Sequence, residues 1–282
     1  MTDHFTDTEE VLDGPPPFVA GERLAPGYEV IAHMIRTNNL DVYDAWSEER
    51  ACRVIAKTPR PDRLEDRKTV RALMREGRLL KKFTHPHIVR AYEVSKEPQP
   101  VVILETLTGA TLAYLIDTRP RRLAISEIVH LGLHLCSALH YIHRQGVLHL
   151  DLKPSNIISE SQLAKIIDLS IARSPGQGEE GTGTDQYMAP EQVTGDYLSP
   201  ATDVWGVGAV LWEAATGEEP FNAEDEDDEE PSYEQLERPI DPIRTYRRVP
   251  AAFASLVESC LEPDPAGRPT IEELMKRLKA FS

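Results

Sequence analysis

His149-Leu150-Asp151-Leu152-Lys153-Pro154-Ser155-Asn156 is the stretch on which the reading of this 282-residue chain turns. It follows a long amphipathic stretch and precedes short apolar runs. A carboxylate, an ammonium two residues later and an amide three beyond that sit inside hydrophobic sequence. A further carboxylate, Asp168, follows in Ile167-Asp168-Leu169-Ser170. A polar loop between two strands would account for the octet alone. The ordered set suits phosphoryl transfer from a nucleotide, which needs a carboxylate for the attacking hydroxyl, a cation near the phosphoryl group and oxygens for Mg2+.

Working outward toward the N-terminus, short apolar runs at residues 28–30, 42–46 and 53–57 read as strands, the last bounded by Pro59 and Pro61. Val70, Leu73, Met74, Gly77 and Leu80 recur at helical spacing, so residues 64–83 read as a helix with Glu76 on its buried edge. His85-Pro86-His87-Ile88-Val89 breaks that helix and is expected to start a strand, and Val101–Leu104 is a fully apolar one. From Ser126 onward helices dominate, through the stripes Ile128/Leu131/Leu135/Leu139/Ile142 and Val204/Val207/Gly208/Leu211/Ala215. Thr270-Ile271-Glu272-Glu273 is a capping box that opens a last helix. A mostly β first part and a mostly α second part, hinged near 105–110, predict a cleft between two lobes.

These motifs resemble those of the bacterial eukaryotic-like (Hanks-type) Ser/Thr protein kinase domain, and the resemblance covers about residues 28–280. It implies an α+β, bilobal fold with a small β-rich N-lobe carrying one main helix and a larger α-helical C-lobe. Residues 1–27, acidic and then Pro-rich, read from composition as a flexible or docked tail and not a core element, and the resemblance implies an N-lobe over 28–106 and a C-lobe over 107–282. By resemblance Lys57 pairs with Glu76 and holds the α- and β-phosphates of ATP. Asp151 is then the base or orienting carboxylate and Lys153 the cation, while Asn156 and Asp168 are the Mg2+ ligands. Ile35, Val42, Ile55, Glu105, Leu107 and Ile158 join Lys57 around the nucleotide. Lysine two after Asp151 looks like the Ser/Thr-directed form of the loop. Three later motifs resemble the family's peptide-positioning segment, its loop-anchoring aspartate and an arginine that pairs with Glu191. They are Gly183–Glu191, which includes Thr184, then Asp203-Val204-Trp205-Gly206 and Arg268-Pro269-Thr270. Small-molecule kinases usually lack these three, so they favour a protein substrate with a Ser/Thr acceptor.

The chain departs from the family pattern at four places. The Gly-x-Gly-x-x-Gly loop aligns with Ile35, Thr37 and Leu40, so Cβ atoms stand where backbone should approach phosphate. Asn38 and Asn39 are expected to make the turn because asparagine tolerates left-handed backbone. Ile55 replaces a small residue over adenine, and Ser170 replaces the last glycine after Asp168. Leu150 replaces the arginine that normally receives an activation-loop phosphate, so switching through Ser174, Thr182 or Thr184 is not expected. An active kinase with weakened nucleotide binding is the reading these changes leave. The alternative is a pseudokinase that acts as a nucleotide-binding or scaffolding signalling module.

Composition sets outer bounds. With 31 Lys and Arg against 47 Asp and Glu the net charge is −16, which argues against nucleic acid as a partner. The acidic run Glu224–Glu230 reads as a solvated stretch or a contact for a basic partner. Residues 60–82 carry nine Lys/Arg against four acids, a basic face that is either solvated or docks an acidic partner. Cys52, Cys136 and Cys260 form no disulfide framework or zinc spacing, so a cytoplasmic home is expected. No run is apolar enough for a membrane span. His130, His134, His140 and His143 read as surface or core histidines in preference to a metal site, and His149 as a brace for the catalytic loop.

Overall fold

A computed structural model describes residues 14–160, 162–221 and 233–282 of the chain. They divide into two compact units, one running to Lys82 and taking in Arg90–Thr106, the other made of Phe83–Val89 and Leu107–Ser282.

The first unit is an antiparallel sheet with one main helix. Its strands are β1 (Arg23–Ala25), β2 (Tyr28–Arg36), β3 (Leu40–Ser47), β4 (Cys52–Pro59), β5 (Ala91–Ser95) and β6 (Val101–Glu105). They pair in the order β1-β2-β3-β4-β6-β5. Alternation along the strands divides the side chains between two faces. Val30, Tyr43, Ala45, Val54, Ala56, Val101 and Ile103 form one apolar cluster, while Ile55 and Lys57 alternate to the opposite face. Helix α1 (Arg67–Lys82) lies against that opposite face. At Gly77 a Cβ would come within 2.6 Å of a Val102 methyl and 2.9 Å of one on Val94, so only glycine lets the helix come this close. The helix starts later than its apolar spacing predicts, because Asp66 caps it. The Asp66 side chain accepts bonds from the Lys68 N–H and the Thr69 hydroxyl.

Two expectations change in this unit. The segment before residue 28, read from composition as a tail outside the core, contributes β1. Leu24 and Ala25 are buried in the apolar cluster, and Phe18 packs on it. Three prolines and scattered acids hid a short strand that needs only two apolar side chains. Ile88 and Val89, expected to open a strand, belong to the second unit instead, where Ile88 bridges Ile166 and the Val89 N–H bonds the Ile166 carbonyl.

The second unit is mainly helical. It runs through β7 (Ala110–Thr111), α2 (Leu112–Thr118), α3 (Ile125–His143), β8 (Ile157–Glu160), β9 (Leu163–Ile166) and β10 (Gly176–Gln177). It continues with α4 (Pro190–Val193), β11 (Tyr197–Leu198), α5 (Pro200–Thr216), α6 (Glu234–Glu237), α7 (Ile243–Tyr246), α8 (Ala251–Glu258) and α9 (Ile271–Leu278). Every residue of α5 from Thr202 to Thr216 is buried, which makes it the axis of the unit. Ser199 caps its start and Gly217, at φ 77°, ends it in the left-handed region. Gly132 of α3 lets Leu211 of α5 and Leu278 of α9 approach so closely that a Cβ would lie about 3.0 Å from both. Thr270 and Glu273 form the reciprocal cap that opens α9. Strands β7, β8 and β9 pair in that order, and the octet His149–Asn156 lies between α3 and β8. Among the described residues no helix is long and apolar enough to cross a membrane, and all three cysteines are free.

Candidate active site

In the first unit, pairing brings Ile35, Val42 and Lys57 directly opposite one another across β2, β3 and β4. The Lys57 ammonium lies 2.8 Å from the Glu76 carboxylate, and both side chains are largely removed from solvent. Burial makes such a pair costly unless its geometry is good, so the contact fixes where the ammonium stands. Ile55 pairs with Leu104 on β6, and the Glu105 carboxylate accepts the Arg90 N–H.

The loop that lacks glycines is a tight hairpin. Thr37 closes it by accepting the Leu40 N–H on its hydroxyl at 3.0 Å and donating its own N–H to the Leu40 carbonyl at 2.8 Å. Neither Asn38 nor Asn39 takes a positive φ. The expected left-handed asparagine turn is therefore replaced by one that a threonine side chain organises. Ile35 is 45% exposed, so its bulk is presented and not buried. Just outside the turn, Asp41 is fully buried yet receives Arg36 and His33. Burial works against its charge, but these bonds hold its carboxyl below the usual range.

In the second unit, one hydrogen-bonded group joins Asp151 and Lys153 with Asn156 and Thr184. The Lys153 ammonium donates to the Thr184 hydroxyl at 2.7 Å, and that hydroxyl donates to Asp151 Oδ1 at 2.8 Å. The Asn156 amide nitrogen bonds Asp151 twice, to its carbonyl at 3.0 Å and to Oδ2 at 2.9 Å. Asp151 is thereby aimed by neighbours from the octet and from the later Gly183–Glu191 segment. The Asn156 nitrogen faces Asp151, which leaves its side-chain oxygen for a cation. Asp168 lies after β9, and its carboxylate accepts the Ser170 N–H at 2.7 Å. Of the remaining nucleotide candidates, Leu107 falls in this unit and Ile158 lies on β8 opposite Thr111 and Lys165.

The octet is anchored from α5. Asp203 accepts the His149 and Leu150 N–H groups, each at 2.8 Å, and a 2.7 Å bond to His143 Nε2. Burial opposes the charge on Asp203, but the contacts from His143 and His149 together outweigh it, keeping the carboxyl below its ordinary value. His149 is buried and its Nδ1 accepts the Asp151 N–H, while burial pushes its imidazole toward the neutral form. Leu150 is held at φ 71°, a conformation that costs a leucine on the order of 1 kcal/mol, which the two Asp203 bonds offset. Its side chain is buried with Leu148 and Leu198, and Ile171 packs on them. Glu191 and Arg268 form a buried, two-pronged ion pair.

Three contacts around the site have no counterpart in the sequence reading. His143 reads from sequence as an ordinary core or surface histidine, and its position at the end of α3, six residues before His149, is the one signal for its bond to Asp203. Gln192 donates to the Leu150 and Thr182 carbonyls and so ties the octet to the later segment. Tyr187 bonds Glu213 at 2.6 Å. No spacing rule flags those last two. The acidic run at 224–230 lies outside the described residues.

Asp168 and Asn156 offer hard oxygen donors, and among the described residues no cluster of three or more His, Cys, Asp or Glu could hold a metal. Oxygen donors of this kind are those that Mg2+ accepts, alongside waters.

A family model described as "Protein kinase domain" matches residues 38–278. The chain is 33% identical over 231 residues to the serine/threonine-protein kinase PknB of Mycobacterium leprae, covering 76% of this chain and 36% of that protein. It is 32% identical over 233 residues to PknB of Mycobacterium tuberculosis, with the same coverage. A probable serine/threonine-protein kinase of Clostridium perfringens is 27% identical over 258 residues, covering 88% of this chain and 37% of that protein. The chain thus spans little more than a third of the length of the curated relatives it matches.

Proposed function

This chain belongs to the protein kinase domain family, and from that membership we propose that it transfers the γ-phosphoryl group of ATP to Ser or Thr hydroxyls of a protein. The single observation that carries the reading is the Lys153–Thr184–Asp151–Asn156 group, in which one carboxylate is aimed by three side chains. In this reading Asp151 orients the acceptor hydroxyl and takes its proton, and Lys153 steadies the charge that develops beside it. Lys57, fixed by Glu76, holds the α- and β-phosphates. Asn156 and Asp168 would hold Mg2+, which would supply positive charge to neutralise that of the phosphates. Thr184 positions the acceptor peptide, with Glu191–Arg268 and Asp203 supporting its platform and the catalytic loop. Ile35, Val42, Ile55, Glu105, Leu107 and Ile158 contact the nucleotide, within an N-lobe over 28–106 and a C-lobe over 107–282.

Nucleotide binding is weakened in this reading, because Ile35 and Leu40 stand at positions where glycine would admit phosphate. The expected loss is about tenfold to a hundredfold, or roughly 1–3 kcal/mol. Switching by an activation-loop phosphate is absent, a view supported by Leu150, whose side chain packs into an apolar cluster and offers no cation. Three free cysteines support a reducing, cytoplasmic setting.

The lost glycines also favour a second reading, a nucleotide-binding or scaffolding module without transfer. Labelled ATP with Mg2+, comparing wild type with Asp151→Asn, separates the two. Phosphate incorporated only by wild type supports the kinase, and none in either protein supports the scaffold.

A further inference from the structure

Arg36 and Asp41 face each other across β2 and β3, immediately outside the Thr37–Leu40 turn. Arg36 meets Asp41 as a fork, Nε to Oδ1 at 2.8 Å and Nη2 to Oδ2 at 2.9 Å, and His33 Nε2 adds a third contact to Oδ1 at 3.0 Å. The remaining prong of Arg36, Nη1, reaches back to the Pro15 carbonyl at 2.9 Å. Close by, the Phe18 N–H donates to the Tyr43 hydroxyl at 3.1 Å, and the two rings meet edge to face 6.0 Å apart. The far side of the turn is also held, since the Arg60 N–H bonds the Asn39 carbonyl at 3.0 Å.

A glycine-rich loop owes its fit to backbone freedom, which it loses when phosphate orders it. This hairpin lacks that freedom: the Thr37 hydroxyl closes it, the Arg36–Asp41 fork grips its base and the Arg60 N–H holds its far side. A forked guanidinium–carboxylate pair fixes direction as well as distance, and a buried carboxylate cannot release it without losing its compensation. We propose that the Arg36–Asp41 pair, anchored to the N-terminal segment directly at Pro15 and, through His33 and Tyr43, at Phe18, is a positioning device that presets the glycine-free hairpin for nucleotide. The segment before β1 thereby becomes part of the nucleotide-binding machinery. This rests on the kinase reading above. Arg36 is not itself a phosphate ligand here, because its forked nitrogens are all engaged with protein.

Two measurements on the full chain test this. Hydrogen exchange of the 37–42 amides without nucleotide reports the brace, and steady-state kinetics report KM for ATP separately from kcat. Asp41→Asn and Phe18→Ala are expected to quicken exchange at 37–42 and to raise KM about tenfold with kcat within about twofold. Arg36→Lys, which keeps the charge and loses the fork, falls between them and wild type. Should Asp41→Asn fail to fold, the paired exchange of Arg36→Asp with Asp41→Arg restores an ion pair and should recover slow exchange and low KM. Unchanged exchange at 37–42, or faster exchange with unaltered KM, would overturn the proposal. A wild type that binds no MgATP by calorimetry removes the kinase reading and this one together. MgATP binding that the variants leave untouched removes this one alone.

Discussion

Arg268 closes its fork on Glu191, with Nη1 to Oε1 at 2.7 Å and Nη2 to Oε2 at 2.9 Å, both groups buried. The same guanidinium donates to the Ala201, Glu262 and Pro263 carbonyls and lies 5.0 Å above the Trp205 ring. Removing it strands a carboxylate and three carbonyl acceptors. Arg268→Ala is therefore expected to cost about 3–5 kcal/mol. Arg268→Lys should recover only part, since an ammonium cannot fork. Urea unfolding checks this, and a midpoint shift no larger than that of an exposed-arginine control contradicts it.

Lys57→Met removes the ammonium that Glu76 holds. Phosphate incorporation should fall below detection while the circular dichroism spectrum keeps its α+β form. Retained activity would take Lys57 out of the site.

Thr182 and Thr184 separate two roles that their closeness in sequence confounds. Thr184 links Lys153 to Asp151 through its hydroxyl, whereas the Thr182 contact is made by its backbone carbonyl. Thr184→Val should lower kcat by about a hundredfold, Thr184→Ser should restore most of it, and Thr182→Ala should change little. A large loss at Thr182→Ala would point to the phosphate switch that Leu150 argues against.

Glu213 carries a pH dependence. Burial pushes its carboxyl from 4.5 up to about 7, although the Tyr187 hydroxyl bonded to it acts in the opposite direction. The folded chain thus binds this proton more tightly than the unfolded chain. The contribution to stability is complete below pH 4.5, declines as pH rises toward 7 and is flat above that. Glu213→Gln should remove this component of the slope between pH 4.5 and 7 in thermal melts. An unchanged slope would show that the group does not titrate there.

How legible the site was depended on how local its signals are. The octet, Asp168 and the capping box at Thr270 each lie within a few residues, and Glu76 follows from a helical stripe that one sequence displays directly. Strand β1 was hidden because burying Leu24 and Ala25 depends on the sheet beside them and not on their own neighbours. The Asn38-Asn39 turn was misread for a related reason, since the Thr37 hydroxyl supplied the closing bonds that left-handed asparagine was expected to make possible. Ile88 and Val89 have strand-like side chains, but their partner is Ile166, nearly eighty residues later. His143–Asp203 and Arg36–Asp41 were visible only as charges of suitable sign. Which of many such charges meet is settled by packing.

The most direct measurement is transfer of labelled phosphate from ATP, with Mg2+, to the chain itself or to a generic Ser/Thr protein substrate, in wild type and Asp151→Asn run side by side. Incorporation by wild type, lost by at least about a hundredfold in Asp151→Asn at equal folded concentration, is the expected result. Equal incorporation by both proteins, or none by wild type on any protein offered, would contradict a phosphotransferase built around Asp151.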